Sequence, residues 1–516
     1  MVINPADLSD TIIPQEDIED VERSKEAAPS NFQEIDWSPL ARRPIRIGQA
    51  DCKCAKDFSK KARLLPRSHT SYSLMSCIRL GMWYKAIIAN MNLPVFWKHA
   101  TTVLTGTVLA QALPILVSPL ITRLCTPADL GEFSVWLGII AITATVATLR
   151  LEAAMILDHD SDEQQTCFSV IAYFSTLFAV GITVLAIFGH LAGIPQVQQM
   201  SWLGLMTVGL GAWLMAYNSA LVAYATSYNA FSKTAMAKIC SAGTIALGQL
   251  VLLFVGVGSG ALLAGQILGM TIGIVAAMFL LSPPRPSLAL VPTRSQLNYL
   301  KKHQSFWRFS LPAGLLNTAA GKFPLFLVGA KYGLFAAGLF ALTERILTAP
   351  ISLLAASVLE VFKRQSVHEY QTLGNCRDAF RSTFKALVLL GSGPALFIFL
   401  FAPDLCAWVF GKPWREAGEF ARILAPLYFL NFVASPLSYV FFVAGKQKTE
   451  LMWQVALFIT TISVFLAPLS LKQVLVNYTL AYSILYLVYL YLSYRFSKNA
   501  PLGPARLGNS QSINGG

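Results

Sequence analysis

Charged residues make up only 13% of this 516-residue chain, about half of the quarter or so that a soluble surface uses. That scarcity excludes a set of water-soluble domains and points to a bilayer as the solvent. The groups that carry out chemistry are equally sparse. The six histidines (69, 99, 159, 190, 303 and 368) are dispersed, with no His-x-x-x-His pair and no Gly-x-Ser-x-Gly, which removes zinc proteases and lipase-like nucleophiles. Gly-x-x-x-x-Gly-Lys-Ser/Thr is absent, so no phosphate-cradling loop serves a nucleotide. The eight cysteines form no Cys-x-x-Cys, and Cys52-Lys-Cys54 has the wrong spacing for a zinc knuckle. There is no short apolar leader near Met1. No cofactor is implied, and the expectation is a protein that is not an enzyme.

What the chain does have is long apolar runs. From Ala100 onward, twelve stretches near the twenty or so residues needed to cross a bilayer recur between short polar breaks: 100–121, 133–157, 167–188, 200–224, 235–255, 261–281, 306–330, 334–361, 384–401, 423–443, 451–469 and 474–492. They are continuous blocks without the two-residue alternation of a barrel strand. The expected fold is therefore all-α, a polytopic membrane protein of about twelve transmembrane helices in two six-helix lobes. The lobes cover 95–282 and 306–495, joined by a cytosolic linker at 283–305 and followed by a tail at 496–516. Residues 1–90 are a separate extension. Residues 1–36 hold ten acidic against two basic residues and 37–90 hold eleven basic against two acidic, the composition of a disordered tail and a basic juxtamembrane stretch. The segment 73–98 fits an amphipathic surface helix, and a start at Met91 fits equally.

The surplus of 40 Lys and Arg over 27 Asp and Glu is explained by where it sits. With the N-terminus cytosolic, the inside loops and tail carry 17 Lys or Arg, Lys233 and Lys238 among them, and the outside loops carry six (Arg123, Lys331, Lys412, Arg415, Arg422 and Lys472). That bias places both termini inside and requires no nucleic acid. The longest outside loop, 402–422, is too short for a glycan polymerase. Asp158-His-Asp160-Ser-Asp162-Glu163 resembles a cation loop, but Glu163 stands where an EF-hand needs glycine, so a solvated loop is expected.

Ionisable residues inside the spans are costly unless they face protein or water. Arg150 and Glu152 fall in span two, Lys322 in span seven, and Glu344 and Arg345 in span eight. With Arg123 at the outer end of span one, the cations Arg150, Arg345 and Lys322 make stations at successive depths for an anionic headgroup, which guanidinium suits through paired donors. The competing use is internal ion pairing. Glu152 shares a helical face with Thr145 and Thr148 by spacing, which makes Glu152 and Glu344 the ion-coupling candidates. The halves also resemble each other: each has a proline-bearing helix, a turn, and then Gly-x-Phe, at Gly131–Phe133 and Gly338–Phe340. Internal duplication of this kind is common in transporters.

Pro119-Leu120, Thr122-Arg123-Leu124, Thr126-Pro127, Asp129, Leu130-Gly131 and Leu149-Arg150-Leu151-Glu152 resemble the opening of bacterial polysaccharide transporters, the O-antigen and exopolysaccharide flippases of the multidrug/oligosaccharidyl-lipid/polysaccharide exporter superfamily. Leu130 departs where Phe is usual. The run from Phe309 to Leu354, with Asn317 and Arg345, is similar to the start of that family's second half, although Lys322 stands where a neutral polar residue is common. The likeness spans roughly 95–495. It implies translocation of undecaprenyl-diphosphate-linked oligosaccharide across the inner membrane by alternating access, with Arg150, Arg345, Lys322 and Arg123 facing the diphosphate. The implied partners are lipid-linked oligosaccharide, membrane lipids, a glycan polymerase and export machinery. A multidrug/cation antiporter of the same superfamily is the alternative, and it calls for more carboxylates in the first lobe.

Overall fold

The computed structural model describes residues 112–158, 160–258, 260–283 and 293–498. All belong to one compact unit, His69–Gly516; the other unit, Met1–Ser68, lies outside the described residues. The expected tail, the surface helix at 73–98 and the segment 499–516 also lie outside them.

The described residues are helical, with no strand among them. The helices used below are α1 (Ala112–Leu124), α2 (Pro127–Ala147), α3 (Leu151–Met155), α4 (Ser161–Leu191), α5 (Trp202–Ser227), α6 (Phe231–Phe254), α7 (Gly260–Leu281), α8 (Arg294–Lys302), α9 (Leu311–Leu373), α10 (Arg377–Val409), α11 (Arg415–Leu437), α12 (Gln447–Leu466) and α13 (Leu471–Lys498). Ten helical stretches are long and apolar enough to span a bilayer, and the last residues of the expected first span form α1. One of the ten, Phe306–Thr348, is 43 residues long, about 65 Å of helix against a hydrocarbon core of about 30 Å. It is two passes, because Gly333 (φ 86, ψ 171) breaks α9 there. Eleven passes result among the described residues, with α1 as the end of the expected first span, and the expected loop at 402–422 shrinks to the few residues between Val409 and Arg415.

Two groups of helices pack internally. In the first, α2 and α4 lie against α5, and α6 against α7; in the second, α10 and α13 lie against α11, and α12 against α13. The seam between the groups is the packing of α2 along α9. We call the end holding the α1–α2 turn the near end, and the opposite end the far end.

The near end is tied together by polar contacts between the groups. The Trp414 indole N–H donates to the Thr122 carbonyl at 2.8 Å, and the Arg123 guanidinium donates to the carbonyls of Trp408 (2.7 Å) and Val409 (3.2 Å) at the C-terminus of α10. A cation on those unsatisfied carbonyls also complements the helix dipole. Lys331, beside the Gly333 bend, donates to the carbonyls of Phe465 and Ala467 at the C-terminal end of α12.

At the centre of this end α2 crosses α9. Thr126 caps α2 with Asp129 reciprocating and Pro127 in the first turn, so the Thr-Pro-x-Asp string is a capping box that fixes where α2 begins. Four residues on, Gly131 meets Gly338. A Cβ on Gly131 would stand 1.8 Å from the Leu334 carbonyl oxygen, and one on Gly338 would stand 1.7 Å from the Pro127 carbonyl oxygen. The contact is reciprocal, each glycine facing the residue four before the other. The two Gly-x-Phe strings of the sequence repeat are thus the two sides of one crossing, at a separation only glycine permits.

Toward the far end α2 breaks. Leu149 (φ 52) and Arg150 (φ 59) both take the left-handed conformation, at roughly 1–2 kcal/mol each for such residues, before the chain resumes as α3. The spacing that put Thr145, Thr148 and Glu152 on one face therefore does not hold.

A second departure lies in the 158–163 segment. Asp158 is not solvated: it is 5% exposed, accepts the Tyr299 hydroxyl at 2.5 Å, and faces His303 Nε2 at 3.4 Å. Glu163 pairs with Lys302 beside it. The linker helix α8 is thereby fastened to the start of α4. Burial holds the Tyr299 pKa well above its ordinary range, so the hydroxyl stays a donor. Tyr299→Phe leaves a buried carboxylate short of a donor and should cost about 1–3 kcal/mol. Thermal unfolding of Tyr299→Phe, Asp158→Asn and the double variant should show coupling above about 0.5 kcal/mol; additive losses would dismiss the contact.

Candidate functional site

Beneath the Gly131–Gly338 crossing lies a cavity of about 650 Å³, within the range of small-molecule sites. It runs from Leu130 and Phe133, next to the crossing, to Leu281, the last residue of α7 at the far end. Its walls come from α1, α2, α5, α6 and α7 on one side and from both arms of α9 on the other; helices α10 to α13 contribute none of the described lining residues.

The ionic groups on the α9 side are Lys322, Glu344 and Arg345. The bend at Gly333 is what brings them together. Lys322 and Arg345 lie on opposite arms of α9, each roughly 17 Å along the helix from Gly333 at 1.5 Å per residue. They therefore lie at similar distances from the bend, on facing arms of one helix. Arg345 donates to the Pro114 carbonyl at 2.9 Å across the seam. Neither Lys322 nor Glu344 has an ion pair within 4 Å among the described residues.

The other wall holds polar groups that sequence reasoning passed over. Lys238, counted there with the loops, is inside α6 about 10 Å from its start at Phe231 and lines the cavity, as do Asn218 on α5 and Gln266 on α7. The signal was present: each is a polar residue within an apolar span. What hid Lys238 was its place only three residues into the expected span 235–255, where it was counted with the loop cations, whereas the helix begins a turn earlier at Phe231.

The remaining candidates are elsewhere. Arg123 caps α10 at the near end, as described. Arg150 is not among the cavity's lining residues; its guanidinium crosses the bare backbone of Gly314, where an added Cβ would lie 3.0 Å from Nε, and Nη1 faces Glu152 Oε1 at 3.4 Å. Arg150 Nε and Glu152 Oε2 are buried without a partner among the described residues. Thr145 reaches Thr318 on α9 at 3.5 Å. These residues make the seam at the far end. Asn317 is exposed. No group of three or more metal-ligating side chains occurs among the described residues.

A sequence profile described as "polysaccharide biosynthesis protein" matches residues 120–419, more than half of the chain. The chain belongs to the polysaccharide biosynthesis protein family. No curated protein sequence matches it. The matched residues run from the end of α1 into the start of α11, so the family signature covers the crossing, the α2 break, the linker helix and every described cavity-lining residue except Pro114. Among solved structures, the lipid II flippase MurJ in an inward closed conformation is similar in fold, with TM-score 0.61, 14% identity, 77% of this chain and 87% of that one. An inward-facing multidrug resistance MATE family transporter of the MOP superfamily gives TM-score 0.56, 17% identity, 75% and 95%. A MOP superfamily transporter from Pyrococcus furiosus gives TM-score 0.50, 16% identity, 78% and 96%. This family member is a multi-pass membrane protein with the fold of those transporters.

Proposed function

We propose that this protein carries an undecaprenyl-diphosphate-linked oligosaccharide, an O-antigen or exopolysaccharide repeat unit, across the bacterial inner membrane by alternating access. The observation that carries the reading is a cavity at the seam of two helix groups, lined by Lys322, Arg345 and Lys238 and sealed at the near end. The Lys and Arg bias puts the far end and both termini in the cytosol, and moving Lys238 from loop to cavity leaves that bias intact. The sugar and diphosphate enter from the cytosol while the lipid tail stays in the bilayer. Arg345 and Lys322 hold the diphosphate, and Lys238 meets it nearer the mouth. Parting at the α2–α9 crossing releases the glycan outside, where a polymerase and export machinery take it up. No covalent step is needed. Glu344 is the ion-coupling candidate within the cavity; Glu152, with Arg150 and Arg123, supports the frame.

The cation antiporter reading is disfavoured because three cations face one carboxylate on the cavity walls. The test is reconstitution into liposomes with undecaprenyl-diphosphate oligosaccharide, scoring glycan exposure to an impermeant glycosidase. Exposure that depends on Arg345 and Lys322 supports the reading. Absence of exposure from a folded protein with a matched glycan rejects it in favour of antiport, and release of lengthened glycan would make the protein an enzyme.

A further inference from the structure

The cavity has a definite charge balance. Among the described lining residues Lys238, Lys322 and Arg345 supply three positive charges and Glu344, as a carboxylate, one negative, a formal net charge of +2. A diphosphate esterified at both ends carries two ionised oxygens and matches the cavity one for one. Resting on the lipid-diphosphate reading above, we infer that the glycan this protein accepts is uncharged, without uronic acids or other acidic substituents.

First, a carboxylate on the sugar would find no cation left over. In a membrane-embedded cavity an unpaired charge bears its full desolvation cost, and Glu344 adds repulsion at the same depth. Second, the wall facing α9 offers neutral recognition. Asn218 and Gln266 have no hydrogen-bond partner among the described residues, and each presents an amide donor and acceptor into the cavity. Amides of this kind serve sugar hydroxyls. The diphosphate belongs on the α9 side and the sugars on the α5 to α7 side, with Lys238 between them and the mouth.

The experiment measures equilibrium binding to the purified full chain in lipid nanodiscs at low salt. It uses two water-soluble short-prenyl diphosphate disaccharides that differ only in carrying glucose or glucuronic acid at the distal sugar, with the sugar-free prenyl diphosphate as a third ligand. The neutral disaccharide should bind about tenfold or more tightly than the acidic one, equal to about 1.4 kcal/mol, and Glu344→Gln should narrow that gap by raising the cavity to +3. Equal or tighter binding of the glucuronic acid ligand overturns the inference while leaving the lipid-diphosphate reading standing. Failure of all three ligands to bind removes that reading and the inference with it. The comparison on the unsubstituted protein decides the question even where the Glu344 variant does not fold.

Discussion

Gly338→Ala should unseat the near end of the molecule. Its single added carbon would stand 1.7 Å from the Pro127 carbonyl oxygen and 2.7 Å from the carbonyl carbon, both backbone atoms of a capped helix start with no rotamer to yield. Overpacking in a well-filled interior costs typically 1–3 kcal/mol, and the least costly relief is for α2 and α9 to part. Gly131→Ala, which meets the Leu334 carbonyl oxygen at 1.8 Å, should act the same way. The expected outcome is a lower melting temperature together with a wider spin-label distance between the helix starts at the near end. Gly321→Ala on the same helix is the control, because nothing lies within 4 Å of its added carbon. It should be neutral or stabilising by up to about 1 kcal/mol through helix propensity. Unchanged stability and spacing in the Gly338 variant would mean that the crossing does not seal this end.

Arg345→Gln is the second large effect. The guanidinium is half-buried, lines the cavity and fixes α9 to the Pro114 carbonyl, so its removal takes away both an anion contact and a tie across the seam. Charge-assisted contacts to phosphate are roughly twice as strong as neutral ones. Initial translocation rates in liposomes should therefore fall at least about tenfold, or about 1.4 kcal/mol. Arg345→Lys should recover only part of that, because a point charge cannot make paired bonds to two phosphate oxygens. Arg150→Gln is expected to differ in kind. It breaks the pair with Glu152 and leaves a half-buried carboxylate unpartnered, so the melting temperature should drop more than the affinity for a soluble prenyl diphosphate. Full Arg150-like behaviour from the Arg345 variant would remove it from the anion path.

Much of this architecture could be read in the residues because the membrane makes spans almost one-dimensional: length and apolarity suffice, and the polar break read between 330 and 334 is where Gly333 bends α9. Lys322, Glu344 and Arg345 were visible as costly charges in apolar helices, and the structure places all three on one cavity wall. The rest depended on partners far away in sequence. Asp158 looked solvated because Tyr299 and His303, which bury it, come 141 and more residues later. The break at Leu149 and Arg150 was hidden because neither residue favours a left-handed turn; the packing of Arg150 over Gly314 and its pair with Glu152, both contacts of the folded chain, accompany it. The repeated Gly-x-Phe strings were noticed as a likeness, whereas their contact is a property of the folded chain.

That contact has a further meaning. Residue 131 sees 334 and residue 338 sees 127, the pattern that defines an isologous interface between identical subunits, in which patch i meets j and j meets i. Two separate six-helix chains of this kind would dimerise through the same self-complementary patch without any redesign. The single polypeptide thus carries, at this one crossing, the reciprocal contact pattern of a twofold interface. In related sequences the two glycines should change together or not at all.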